Sequence, residues 1–367
     1  MRVGLNATCL NDRPSGARQR FQGIYGALIR RSPNVEFVVY EPSDCAIGKW
    51  FAGAANVSAR STPIPSQGRF SKVLRGAGYW PRQLSEERLD IFECFNEPLV
   101  TSSTGRTFTT IHDIRGLHSN LRHVYTMSLR RTLQKVDVAI TVSESMKSEI
   151  LAFHPSARVA VIHNALDPTE FSSVSDDDAE LVRRKFALPS EFLLAVGHFE
   201  PRKNYLRLVE SLGLLRDRGC DCHLVIVGND SGQRSLVEQK IASDKLTSHV
   251  TILSGLSDHE VRCMYRMSSL LVFASSYEGF GIPILEAMAA GIPMVTSDIP
   301  VFKEITEGQG VYFSPSEVDG ISDAIQRTLE SSADRANLVR YGRDRVRDFS
   351  VDRVSEQLAS LYSGISG

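Results

Sequence analysis

Two carboxylates, Glu278 and Glu286, stand eight positions apart in the stretch EGFGIPILE, with Gly279, Gly281 and Pro283 between them. Were this stretch wholly helical, the two acids would lie roughly 12 Å apart along the axis, too far to serve one reacting atom. A glycine turn ahead of the helix lets them address different parts of one elongated ligand instead. Gly279 and Gly281 allow the backbone to approach closely, and the positive end of a helix dipole suits a phosphate. Carboxylates accept hydrogen bonds from vicinal hydroxyls such as those of a ribose or a hexose. A plainer reading is also open, with Glu286 complementing the helix dipole and Glu278 a solvated loop acid.

A second group lies upstream. VGHFEPRKN, residues 196–204, leaves an apolar run through Gly197 into a turn that carries Arg202 and Lys203 just before a helix. Two cations placed there can neutralise a diphosphate. Taken alone they read equally well as solvated surface charge.

The elements that must position these residues follow from hydrophobic patterning. Short apolar runs alternate with amphipathic stretches along the whole chain. The strand candidates of the first half are 2–7, 36–42, 91–95, 108–113, 138–143 and 159–164; those of the second are 192–197, 222–228, 250–255, 270–275 and 293–298. Their hydrophobicity is continuous rather than alternating, which predicts parallel strands buried on both faces and covered by helices. LLVFAS is then a strand, SYEGFG a turn, and Pro283 opens a helix that Gly291 stops. In such α/β sheets ligands bind beyond the carboxyl ends of the strands, where this turn lies. The pattern lapses into Ser, Asp and Pro over 165–189, so the boundary is expected there, with domains 1–170 and 171–349. The amphipathic segment 351–365 is expected to pack back on the first domain.

Composition sets outer limits. A chain of 367 residues accommodates two domains, and a net charge of -1, from 42 basic and 43 acidic residues, gives no global attraction to nucleic acid. The N-terminus MRVGLNATCL lacks a basic region followed by an apolar stretch, and no run of about 18 apolar residues occurs, so neither a signal peptide nor a membrane span is expected. The six cysteines are scattered; a cytoplasmic protein with reduced, buried thiols is expected, and Cys220 and Cys222 are too tightly spaced for a zinc knuckle. No metal site is expected.

Three separate elements carry a family resemblance: PRKN at 201–204, the run VTILSGLSDHEV, and the pattern S-x-x-EGFG-x-P-x-x-EA-x-A-x-G-x-P-x-V from Ser275 to Val295. Together they resemble the retaining family 4 glycosyltransferases of the GT-B fold, whose hallmark is the E-x7-E element. The resemblance is specific over roughly 190–315. It implies two Rossmann-like, doubly wound parallel-sheet domains facing each other across a cleft that forms the active site. It implies that Glu278 bonds hydroxyls of a donor sugar, that Glu286 bonds the ribose of a nucleotide, and that Arg202 and Lys203 hold the diphosphate as leaving group, without a metal or other cofactor. The backbone of Phe280 and Gly281, with Ile282 beside them, would meet the donor. The turn from Ser254 to Leu256 would lie beside the base, and Gly228 would line the nucleotide pocket.

In the first half, IHDI at 111–114 resembles the family's His-Asp pair, which implies that His112 sits near donor sugar and acceptor. The loop NDRPSGARQRF, 11–21, occupies the place of a glycine-rich acceptor loop. Gly16 fits and is counted among the binding residues, whereas Arg18 stands where a second glycine is usual. Arg18 or Arg20 is then available for an anionic group such as a lipid diphosphate. Ala165 likewise replaces a usual glycine in the linker 162–167.

RFSKVLRGAGYWPRQL, 69–84, has four cations, no acid, and Phe70, Tyr79 and Trp80 interleaved. It suits an anionic membrane surface, or equally an ordinary solvated helix. The expectation is therefore a cytoplasmic hexosyltransferase, peripheral on the inner face of the cell membrane if 69–84 docks there. It would move a hexose, mannose from GDP-mannose or a sugar from a UDP-hexose, onto a glycan or lipid-linked glycan in O-antigen or exopolysaccharide synthesis. A nucleotide-sugar epimerase or hydrolase, or a non-catalytic nucleotide-sugar binder, is the alternative.

Overall fold

The computed structural model describes residues 1–12, 15–95 and 104–364 and, within them, every side chain but that of Arg69. The chain divides into two units, Met1–Leu166 together with Val351 onward, and Asp167–Ser350.

Among the described residues the first unit has seven strands: β1 Arg2–Asn6, β2 Glu36–Glu41, β3 Val57–Ser61, β4 Ile91–Phe95, β5 Arg106–Ile111, β6 Val138–Thr141 and β7 Val159–Val161, in the order β3-β2-β1-β4-β5-β6-β7. The second has six: β8 Leu193–Val196, β9 Leu224–Val227, β10 Val250–Leu253, β11 Leu270–Phe273, β12 Met294–Ser297 and β13 Val311–Phe313, in the order β10-β9-β8-β11-β12-β13. Every pairing is parallel. Central strands such as β4 and β11 are buried at every residue, which is why their sequences are uninterrupted apolar runs. In each sheet the order reverses once, between β1 and β4 and between β8 and β11, and a crevice opens there beyond the strand ends.

Two strands, β3 and β13, lie at sheet edges and were not visible in the sequence pattern. VSARS is exposed at four of its five residues, and VYF is three residues long, so neither presents the apolar run that two-sided burial imposes.

The boundary at 170 also needs correction. Thr169–Ser172 is a helical turn of the second unit: Phe171 is buried with its ring 5.9 Å from Tyr265, and Glu170 pairs with Arg262 at 2.7 Å. The Ser and Asp residues read as linker start a helix, since Ser175 and Asp178 form a reciprocal capping box for Asp176–Lys185.

The helix Val351–Ser363 belongs to the first unit, where Val354 and Leu358 enter the core formed by Val3, Ile24, Leu28 and Phe108. Each such side chain contributes about 1.5–3 kcal/mol on burial. Its Tyr362 hydroxyl donates to Glu93, a fully buried residue of β4 that also accepts from Tyr25 at 2.5 Å and Thr110 at 2.6 Å. Burial pushes the Glu93 carboxyl upward, against the pull of its hydroxyl donors and of Arg20.

The helix Arg69–Glu86 sits on the other side of this unit. Its Trp80 is buried against Tyr40 and Phe92, with ring centroids 5.2 and 5.4 Å away, so it is a core residue rather than an interfacial aromatic. Among the described residues no helix is long and apolar enough to cross a membrane. All six cysteines are free; Cys94 and Cys263 are buried and the other four are partly exposed, contrary to the expectation of general burial.

Replacing Tyr362 by Phe leaves a buried carboxyl short of one donor while preserving ring packing. It is expected to lower unfolding free energy by about 1–3 kcal/mol, measured by urea denaturation.

Candidate functional site

The loops that follow β8 and β11 meet at the switch point of the second sheet. Gly197, at φ +147°, leaves β8, and a Cβ there would stand 2.6 Å from Cε of Lys203. A Cβ on Gly228, at the end of β9, would stand 1.9 Å from the Gly197 carbonyl oxygen. These two positions are glycine because the Lys203 stem and the neighbouring backbone occupy the space a side chain would need. The turn Pro201–Lys203 is held by Asn204, whose Nδ2 donates to the Pro315 carbonyl at 2.7 Å, and by Tyr205, whose hydroxyl donates to the Gly197 carbonyl at 2.8 Å.

Lys203 is 7% exposed, with its ammonium 4.8 Å from the Phe273 ring centroid. It donates to Glu278 Oε1 at 2.7 Å. The same oxygen lies 2.5 Å from Nη1 of Arg202 and accepts from Ser275 Oγ at 2.9 Å. Nε of Arg202 donates to Glu200 at 2.6 Å. Burial raises the pKa of Glu278, but the charges of Lys203 and Arg202 outweigh it and hold the carboxyl below its usual range. Neither the solvated-acid reading of Glu278 nor the surface-charge reading of Arg202 and Lys203 survives: one carboxylate oxygen joins both cations in a largely enclosed loop pair.

Gly281 precedes the helix Ile282–Ala290, with Ile282 partly buried at its start. The Phe280 ring points into the core, 5.9 Å from Phe349, so that this residue has only its backbone to offer a ligand. Glu286 is 8% exposed, and its Oε2 accepts from the Tyr265 hydroxyl at 2.6 Å, which ties this helix to Asp258–Met267. A buried, hydrogen-bonded carboxylate is more than a complement to a helix dipole.

At the ends of β9 and β10, Ser254 Oγ donates to the Gly228 carbonyl at 2.7 Å and accepts from Arg234 Nη1 at 2.9 Å. Leu256 is partly buried two residues on. Arg234 escaped the sequence reading because it opens an ordinary amphipathic helix, Arg234–Ser243. The available signal was its place directly after NDSGQ, a turn-forming run at a strand's carboxyl end.

His112 and Gly16 belong to the first unit. His112 follows β5; burial, joined by the charge of Arg20, pushes its pKa down to about 3. Gly16 is the first residue of a helical turn capped by Ser15, whose Oγ accepts from the Arg18 amide at 3.2 Å. Arg18 donates to the Asp12 carbonyl at 2.7 Å and lies over the Trp50 ring. Arg20 is 1% exposed, and its Nη1 donates to the carbonyls of Ile162 and His163 and to Asn164 Oδ1 at 2.7 to 3.0 Å. It braces the segment after β7 and is not placed to meet a lipid diphosphate. Among the described residues no group of three or more His, Cys, Asp or Glu side chains is arranged to hold a metal ion.

Comparison with known proteins decides the family. Residues 14–170 match the sequence model described as Glycosyltransferase Family 4, and residues 177–345 match that of Glycosyl transferases group 1. The chain is a family 4 glycosyltransferase. This glycosyltransferase is 27% identical over 267 residues, 70% of each chain, to the O-antigen chain mannosyltransferase B of Escherichia coli. It is 28% identical over 260 residues, 68% of each chain, to the O-antigen chain mannosyltransferase RfbU of Salmonella typhimurium. Among solved structures, Anabaena HepE in complex with UDP and glucose matches it at a TM-score of 0.76 and 18% identity, covering 99% of this chain and 100% of that one. The fold is GT-B.

Because His112 titrates near 3 in the folded protein and near its ordinary 6.5 in the unfolded chain, only the unfolded chain takes up this proton as pH falls from 6.5. Its contribution to stability is therefore lost progressively below pH 6.5. His112→Asn is expected to flatten the acid side of the stability profile, read as urea midpoints between neutral pH and about pH 4.

Proposed function

We propose that this glycosyltransferase moves a hexose, mannose in the first instance, from a nucleotide-diphosphate sugar to a sugar hydroxyl of a growing glycan, with retention at the anomeric carbon. The glycan in this reading is a lipid-linked polysaccharide of the O-antigen or exopolysaccharide kind. The observation that carries it is the single Glu278 oxygen shared by Lys203 and Arg202 at the switch point. Similarity to the two O-antigen mannosyltransferases supports the choice of sugar and of glycan.

Arg202 and Lys203 are paired with the carboxylates of Glu200 and Glu278. A diphosphate brings stronger charge and more acceptor oxygens, and it competes with Glu278 for both cations. Glu278 is then free to accept from hydroxyls of the donor sugar, while Ser275 keeps it oriented. Glu286, steadied by Tyr265, accepts from the ribose hydroxyls. The backbone of Phe280, Gly281 and Ile282 runs beside the sugar and diphosphate, and Gly228, Ser254 and Leu256 border the base. Gly16 leaves room for the acceptor loop's backbone to approach. As the bond from the anomeric carbon to the phosphate oxygen breaks, the acceptor oxygen bonds to that carbon on the same face, and the departing phosphate oxygen takes the acceptor's proton. Arg202 and Lys203 offset the charge that develops, in the role a metal ion plays in other transferases. His112, kept neutral, exchanges a hydrogen bond with sugar or acceptor and carries no positive charge.

Lys203→Ala and Glu286→Ala should each weaken nucleotide-sugar binding by about tenfold or more in calorimetry, since each removes a charged hydrogen-bonding partner. Unchanged affinity in both would sink this reading. Turnover should persist in a metal chelator and NMR should show the anomeric configuration retained.

Peripheral membrane contact belongs to the same proposal. The helix Arg69–Glu86 exposes Phe70 (81%), Val73 and Leu74 (65%) on one face, beside Lys72, Arg75 and Arg82. An apolar strip flanked by cations suits the interface of an anionic bilayer. Phe70→Ser with Leu74→Ser should abolish sedimentation with anionic phospholipid vesicles and leave the unfolding midpoint unchanged; vesicle binding that survives both changes refutes the contact.

A further inference from the structure

The loops at the ends of β8, β9 and β10 are stitched together by bonds that converge on one guanidinium. Phe199 donates through its amide to the Asn229 carbonyl at 2.9 Å, and the Gly255 amide donates to Asn229 Oδ1 at 3.1 Å. Asp230 Oδ1 accepts from the amides of Gly232 and Arg234 at 2.8 and 3.2 Å, which fixes the turn that delivers Arg234. Nη1 of Arg234 then reaches across to Ser254 Oγ at 2.9 Å, and Nε donates to Glu238 at 2.7 Å. The pair with Glu238, four residues on, stabilises the helix surface and by itself asks nothing of β10. The bond to Ser254 does, because it turns the guanidinium toward the strand ends and holds it there.

Adjacent strands lie about 4.8 Å apart, so the end of β10 is about 10 Å from the end of β8, where Lys203 and Arg202 sit. That is the reach of one nucleoside from its diphosphate. With Nε and one N–H of Nη1 engaged, the outer edge of the guanidinium keeps an N–H on Nη1 and the N–H groups of Nη2, which makes no hydrogen bond among the described residues. Two parallel donors on a rigid planar group match two adjacent acceptors. Guanine presents such a pair, O6 and N7, whereas uracil presents O4 with no acceptor ring nitrogen beside it.

We infer that Arg234, oriented by its bond to Ser254, selects a guanine over a uracil nucleotide in the donor. The inference rests on the glycosyltransferase reading of the site and names its base. Arg234 touches the base edge and takes no part in the bond exchange, so its effect falls on donor affinity and on the ratio between nucleotides.

The test titrates GDP and UDP into the wild-type protein and three variants by calorimetry. Wild type should bind GDP more tightly than UDP by about tenfold or more, the discrimination of one bidentate pair. Arg234→Met should remove that preference by weakening GDP alone, with UDP affinity held within about twofold. Arg234→Lys should recover part of it at most, because an ammonium cannot make two parallel bonds. Glu238→Gln, which weakens only the helix-surface pair, should leave the preference in place. Wild-type preference for UDP, unchanged GDP binding in Arg234→Met, or equal loss for both nucleotides would overturn the inference while leaving the donor site intact. If wild type binds neither nucleotide, the donor-site reading fails and the base assignment with it.

Discussion

One carboxylate oxygen, Oε1 of Glu278, meets an ammonium, a guanidinium and a hydroxyl in a largely water-excluded loop pair. Burying a single charge costs several kcal/mol, and a buried pair is tolerated when geometry and additional hydrogen bonds compensate. Much around this oxygen is explained by that constraint. Gly197 is bare because Lys203 folds back beneath the strand end, and Gly228 because the Gly197 carbonyl stands where its Cβ would be. Asn204 and Tyr205 lock the turn so that both cations face one acceptor. Glu200 balances Arg202, leaving the cluster of two cations and two carboxylates without net charge. In the proposed reaction a diphosphate replaces one carboxylate partner of this cluster without leaving a cation unpaired.

The first unit solves a related problem with different means. Glu93 is buried without a direct cation, and three hydroxyl donors hold it, from Tyr25, Thr110 and Tyr362. Arg20 is buried against two backbone carbonyls and an amide oxygen, so its charge is spread over dipoles rather than cancelled by an acid. That uncancelled charge, with burial, keeps His112 neutral. The last helix of the chain is anchored in the same place by Tyr362, which adds a directional bond to the apolar packing of Val354 and Leu358. Polar groups here do the orienting, and the hydrophobic surface supplies most of the free energy.

How much was legible in advance depended on how strongly burial constrains each residue type. Strands buried on both faces declare themselves as apolar runs, and eleven of the thirteen strands described here were visible in that way. The edge strands β3 and β13 were not, because a strand that faces solvent is under no such pressure. The break between units slid by a few residues, since Ser and Asp are as fit for capping a helix as for a linker. Trp80 and Arg20 misled for a common reason: a basic or aromatic residue in an amphipathic stretch does not announce which face it occupies, and both turned out to point inward.

By itself the sequence determined the α/β alternation, the glycine turns beyond the strand ends, and the kinship of EGFGIPILE and PRKN with one enzyme family. These are local properties, written in composition and spacing. Tertiary structure alone decided that Lys203 and Arg202 share one oxygen of Glu278, that Tyr265 fixes Glu286, and that Arg234 crosses to Ser254. Each of these pairs joins residues brought together only by strand order, and strand order is set by the packing of whole helices and sheets, which no short stretch of sequence contains.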